Sequence, residues 1–193
     1  MDFVLATFNR DKARELRALL AAPGRRLLDL GAFPGASVPA ETGTTLLENA
    51  RLKARAAARH TGRAAIADDT GLEVDALDGA PGHRAARFAG PGAGDAENRA
   101  LLLERLKGVP AAGRSARFRT VCVACFPDGS ECVGEGVLEG AITEAPRGTG
   151  GFGYDPVFEV AALGRTLAEL DEAGKNAVSH RARAAAALAR RLP

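Results

Sequence analysis

The order of elements predicts an α/β protein with a mixed central sheet flanked by helices. Short β-branched runs alternate with segments whose apolar residues recur at helical spacing. Two longer strands, ARFRTVCVACF and ECVGEGVLEGAIT, are joined by the turn PDGS and must run antiparallel. The chain has 193 residues, of which 46% are hydrophobic, enough for a sizeable core in one domain or in two lobes sharing one core. With no internal repeat or low-complexity linker, residues 1–193 read as a single domain.

FVLAT reads as a buried strand, and RDKARELRALL as a helix with Ala13, Leu16 and Leu20 at helical spacing behind Asn9 as N-cap. After the Gly- and Pro-rich stretch GAFPGASVPAETG, Thr45 and Glu48 have capping-box spacing and open a second helix with a stripe of Leu47, Ala50, Ala54 and Ala57. AAIAD and LEVDAL read as two strands around the turn DTG, and DAENRALLLERLKG as a helix ending near Gly108. The last helix, AVSHRARAAAALARRL, is expected to bury Val178, Ala182, Ala185, Ala189 and Leu192. On that helix His180 lies about 200° around the axis from Val178, on the polar face, which is either solvated or turned to a substrate.

Lys+Arg of 26 against Asp+Glu of 24 leaves a formal charge of +2, too balanced to draw the protein to nucleic acid or to an acidic membrane. No secretory signal and no membrane-length apolar stretch is seen. Cys122, Cys125 and Cys132 are an odd number, which argues against a disulfide framework and for a reducing compartment, taken as the cytoplasm. Cys122 and Cys125 form a CxxC, but three residues apart on a strand they point to opposite faces, so core thiols are expected rather than zinc ligands.

Three segments carry candidate chemistry. ATFNRDK takes a strand into a helix N-terminus, where free N–H groups and the helix dipole favour phosphate; Thr7 and Asn9 can donate to it, and Lys12 supplies a compact charge. An ordinary capped helix is the competing reading. RGTGGFGYDP holds a GxGxxG spacing, but Pro156 and the strand-like VFEV follow, so a dinucleotide fingerprint is rejected for a loop bearing Phe152, Tyr154 and Asp155. That loop suits either stacking on a flat base, with Asp155 free to accept from a ring N–H, or a plain surface turn. Asp68 and Asp69 end an apolar run and, if the strand continues, face opposite sides: one faces a site, the other accepts from turn or helix N–H groups. The spacing does not choose between them. Only four of the 26 basic residues are lysines (Lys12, Lys53, Lys107, Lys175), and three fall in the segments already singled out.

Five blocks in order, LATFNRDKARE, ETGTTLLENARLKA, ADDTGLEVDALDGAPG with ARFAG, GFGYDPVF and KNAVSHRARA, resemble the inosine triphosphate pyrophosphatase family nearly end to end. The resemblance implies hydrolysis of ITP, dITP and XTP to the monophosphate and pyrophosphate. It implies Mg2+, an elongated two-lobed fold with a cleft between the lobes, and a homodimer. By position it implies that Thr7, Phe8, Asn9, Arg10, Asp11 and Lys12 hold the triphosphate with Lys53. It also implies that Glu41 and Asp69 bind the metal, with Asp69 catalytic and Thr70 beside it. Phe152, Gly153, Tyr154, Asp155, Lys175, His180 and Arg181 would line the base and sugar pocket. The chain departs from the family pattern at Phe8, Thr70, His83, Arg84 and Gly174.

Overall fold

The computed structural model describes all of residues 1–193. Its strands are β1 (Asp2–Leu5), β2 (Arg26–Asp29), β3 (Ala64–Val74), β4 (Pro81–Gly82), β5 (Ser115–Cys125), β6 (Glu131–Ile142), β7 (Phe158–Val160) and β8 (Arg165–Thr166). The helices are α1 (Arg10–Leu20), α2 (Leu46–Thr61), α3 (Asp95–Arg105), α4 (Glu172–Val178) and α5 (His180–Ala189). Strand order is β2-β1-β3-β5-β6-β7-β8, with β4 on β3; β1 runs parallel to β2 and β3, and β7 antiparallel to β6 and β8. The expected mixed α/β fold is therefore present.

The chain divides into two compact units. The first comprises Met1–Asp69, Thr120–Gly136 and His180–Pro193. Its strands bury both faces, and the alternation of side chains sorts them cleanly. Phe3, Leu5, Ala64, Ile66, Cys122 and Ala124 meet Leu16 and Leu20 of α1 and Ala184, Ala185 and Leu188 of α5. Val4, Ala6, Ala65, Ala67, Val121, Val123 and Cys125 meet Ala50, Ala54, Ala57 and Ala58 of α2. Cys122 and Cys125 thus lie in different cores, as their spacing requires. Each large aliphatic group here, such as fully buried Leu16, contributes about 2–5 kcal/mol against Ala.

The second unit comprises Thr70–Arg119 and Val137–Ser179. Its core joins Leu72, Val74, Phe118, Leu138 and Ile142 of the strands to Leu102 and Leu106 of α3, with Tyr154, Val157 and Phe158. Buried Arg114 fastens this unit by donating to the carbonyls of Ile142 (2.8 Å), Leu106 (2.9 Å) and Thr143 (2.9 Å).

Three expectations need correction. DTG is no turn: β3 runs unbroken from Ala64 to Val74, because ladder pairing with β1 at one end and β4 at the other overrides local turn preference. The last helix is two, since Ser179 is extended (φ −64, ψ 153) between α4 and α5; serine competes for local backbone bonds and suits a helix boundary. Of the expected stripe, Ala185 is buried, Ala189 and Leu192 pack partly buried against the same core and Val178 against the core of the second unit; Arg181, Ala184 and Leu188 join it, and His180 is buried rather than solvated. Strand β2 was not anticipated; four residues with charged ends give no alternation to read.

Candidate active site

The first strand-to-helix junction is ordered by its own side chains. Asn9 N–H donates to Thr7 Oγ1 (3.1 Å), and Lys12 N–H donates to Asn9 Oδ1 (3.0 Å), the N-cap bond expected from sequence. Phe8 and Arg10 are exposed, and with Thr7 they line a shallow 430 Å³ concavity. Asp11 pairs with Arg14 at 2.9 Å on the surface of α1. Because β1 lies parallel to β3, with Ala6 N–H donating to the Ile66 carbonyl (2.8 Å), the junction opens beside the stretch carrying Asp68 and Asp69.

Those two carboxylates face opposite cores, following strand parity. Asp68, on the α1 and α5 side, lies 3.3 Å from Lys12 Nζ and 3.1 Å from the Arg181 guanidinium. Arg181 also pairs with Glu15 of α1 at 2.5 Å, and all three of Glu15, Asp68 and Arg181 are buried. Burial opposes ionisation of Asp68, but the charges of Lys12, Arg181 and Lys53 overcome it and hold its carboxyl well below the usual range. Asp68 is thus paired with two cations, Lys12 and Arg181.

Asp69, on the α2 side, accepts from Lys53 Nζ at 2.7 Å, and the same ammonium donates to Glu41 Oε1 at 2.9 Å. Burial alone would lower the Lys53 pKa; Asp69, Asp68 and Glu41 outweigh it, so the ammonium stays charged above the ordinary lysine value. Lys53, assigned by resemblance to phosphate, here bridges the two assigned metal ligands. Asp69 Oδ2 is buried and accepts no hydrogen bond from the protein.

Glu41 comes from a loop pinned to the start of α2. Gly43 N–H donates to buried Asn49 Oδ1 (2.9 Å), and Glu48 accepts from Thr44 N–H (2.7 Å) and from Thr45 N–H (3.2 Å), the second of these closing the predicted capping box. Thr70 follows Asp69 directly along β3. No group of three or more His, Cys, Asp or Glu side chains is placed to hold a metal alone.

In the second unit, GFGYDP is a loop leading through a short 3-10 turn into β7, so the rejected dinucleotide reading stays rejected. Asp155 Oδ2 accepts from Lys175 Nζ (2.5 Å) and from Phe152 N–H (2.9 Å), and that ammonium sits 4.6 Å from the Phe152 ring centroid. Asp155 is buried and engaged in fixing the loop. Tyr154 is an anchor: buried, with its hydroxyl donating to the Ala85 carbonyl (2.8 Å). Gly153 is gripped from α3, its N–H donating to Asp95 (2.7 Å) and its carbonyl accepting from Arg99 (2.6 Å).

Sequence reading missed Glu15, Asp95 and Arg99. Glu15 carried one signal, a charge beside the apolar stripe of α1; the two α3 residues carried none, since their partners are backbone atoms of a distant loop.

A mixed-sheet α/β chain with a capped strand-to-helix junction beside two lysine-bridged acids defines a class, the α/β proteins with a charged polar site beside their parallel strands. Within that class the chain belongs to the Ham1 family, whose model matches residues 3–191. It is 51% identical over 193 residues to the dITP/XTP pyrophosphatase of Methylococcus capsulatus, covering 98% of this chain and 94% of that protein. It is 50% identical over 184 residues to the dITP/XTP pyrophosphatase of Desulforamulus reducens, covering 95% and 92%. A HAM1 protein structure from Coxiella burnetii matches with a TM-score of 0.89 at 41% identity, covering 98% of this chain and 97% of that one.

Proposed function

We propose that this protein hydrolyses non-standard purine nucleoside triphosphates, ITP, dITP and XTP, to the monophosphate and pyrophosphate. The observation that carries the reading is the Lys53 bridge between Glu41 and Asp69, set next to Asp68 and its partner Lys12 at the phosphate junction. Relatives named dITP/XTP pyrophosphatase at about half identity supply the substrate class.

The donor set fits magnesium: a buried carboxylate oxygen with no protein partner and a second carboxylate held beside it are what that ion takes when phosphates and waters complete its shell. Glu41 and Asp69 would hold it, and when bound it polarises the phosphoryl group and acidifies its water. Asp69 orients the attacking water or takes its proton. Water adds to the α-phosphorus, the bond to the bridging oxygen breaks, and pyrophosphate leaves. Lys12 and Lys53 offset charge on the leaving group, while Thr7, Phe8, Asn9, Arg10 and Asp11 place it at the helix N-terminus. Asp68, locked by Arg181, holds Lys12 in position, and Thr70 keeps the backbone after Asp69 extended.

For the other end of the nucleotide, Phe152 stacks on the base, and Gly153, Tyr154, Asp155 and Lys175 shape its surroundings, with His180 and Arg181 assigned to the nucleoside by position. A six-keto oxygen is accepted, whereas a six-amino group meets donors with a donor, a mismatch that discriminates strongly when buried. We further propose a cytoplasmic homodimer that uses neither nucleic acid nor membrane; no helix is long and apolar enough to cross one.

Product analysis after incubation with ITP and magnesium tests the reading: IMP plus pyrophosphate supports it, and IDP plus phosphate, or no reaction, rejects it.

A further inference from the structure

The second unit holds a device that none of the assigned residues explains. Gly153 stands at φ +59, a left-handed conformation suited to glycine, and both of its backbone hydrogen-bonding groups are taken by side chains of a single helix. Asp95, the first residue of α3, accepts its N–H, and Arg99, one turn later, donates to its carbonyl. Positions i and i+4 lie on one face, so one turn of helix presents an acceptor and a donor to one peptide position.

The same helix also fastens the segment 85–89. Buried Asn98 accepts from Ala89 N–H (2.8 Å) and donates to the Ala86 carbonyl (3.2 Å). Tyr154 closes the circuit through Ala85. The residue before Gly153 is Phe152, whose ring lies against Lys175 Nζ and whose N–H is held by Asp155. The conformation of Gly153 therefore sets where the Phe152 ring points.

We propose that Asp95 and Arg99 are positioning residues for purine selection: they clamp Gly153 so that Phe152 and Lys175 present a preformed stacking surface to the base. The proposal rests on the functional reading above and deepens it. A preformed surface spares the substrate the cost of ordering the loop, so loss of the clamp weakens base binding and leaves chemistry on the phosphates intact.

The test uses the full-length protein and the variants Arg99→Met, Arg99→Lys and Asp95→Ala. Inorganic tripolyphosphate, which has no base, serves as a competitive probe of the phosphate end. Expected is a KM for ITP raised about tenfold in Arg99→Met and Asp95→Ala, with kcat within about twofold and partial recovery in Arg99→Lys. The inhibition constant of tripolyphosphate stays unchanged. Tyr154, the chain's single tyrosine in a protein without tryptophan, reports the loop directly: its near-UV circular dichroism weakens in both clamp-deficient variants while far-UV signal and unfolding temperature hold.

An unchanged KM, or a KM and a tripolyphosphate constant that rise together, overturns the clamp. The two failures separate: a wild-type protein inert toward ITP removes the functional reading and the clamp's purpose with it, whereas an active wild type with indifferent variants removes the clamp alone.

Discussion

Asp68 and Asp69 are neighbours in the chain, yet their carboxylates serve opposite faces of β3: Asp68 meets Lys12 and Arg181 on the α1 and α5 side, Asp69 meets Lys53 on the α2 side. Unbroken strand geometry makes this so, and it divides the labour between them. One neutralises a buried arginine; the other joins Lys53 and Glu41 in an ionic bridge.

That division predicts a dissociation of stability from activity. Asp68→Asn takes a charged partner from buried Arg181 and costs about 3 kcal/mol, whereas Asp69→Asn changes stability far less because Lys53 keeps Glu41. Thermal and denaturant unfolding of the two variants measures the difference. Equal losses would show that the faces are not separate.

The same carboxylate sets part of the acid response. The folded pKa of Asp68 is depressed, so its contribution is fully present above the unfolded value of about 3.9 and is lost as pH falls through the folded value. Stability followed by denaturant titration from neutral pH down to pH about 2 should fall less steeply below that value in Asp68→Asn than in wild type. Parallel curves would deny Asp68 this role.

Helix α5 lies against bare backbone of β6. A Cβ at Gly136 would stand 2.2 Å from the His180 carbonyl oxygen and 2.4 Å from Ala184 N, and one at Gly134 would stand 2.3 Å from Leu188 N. These are backbone atoms that no side-chain rotation relieves. Gly136→Ala is expected to lift α5, disturb Arg181 and cost about 2 kcal/mol or more, read as a lower unfolding temperature. An unfolding temperature equal to wild type would contradict the packing described.

Thiol reactivity distinguishes the three cysteines. Burial pushes the Cys122 thiol far above its usual range and raises Cys125 as well, while Cys132 is only half-buried. Under native conditions a thiol reagent should label Cys132 first, with Cys122 reacting only on unfolding. Mass mapping after timed labelling decides, and early labelling of Cys122 would contradict its place in the core.

Much of this was legible in the sequence because it depends on local periodicity. The N-cap at Asn9, the capping box at Thr45 and Glu48, the PDGS hairpin and the opposed cysteines all follow from spacing, and all are present. What was hidden depends on partners far along the chain. DTG looks like a turn until β1 and β4 are paired to the strand that contains it. His180 looks solvated until Ser179 breaks the helix and resets the face. The ion network of Glu15, Asp68 and Arg181 spans 166 residues between Glu15 and Arg181, and no window of sequence joins them.

The central claim is that Asp69 performs the chemistry on a polyphosphate held at the first strand-to-helix junction. Pyrophosphate release from ITP by Asp69→Asn, paired with calorimetric binding of the same nucleotide, tests it most directly. A loss of turnover of about a thousandfold or more with binding retained is the predicted result. Turnover within about tenfold of wild type would contradict it.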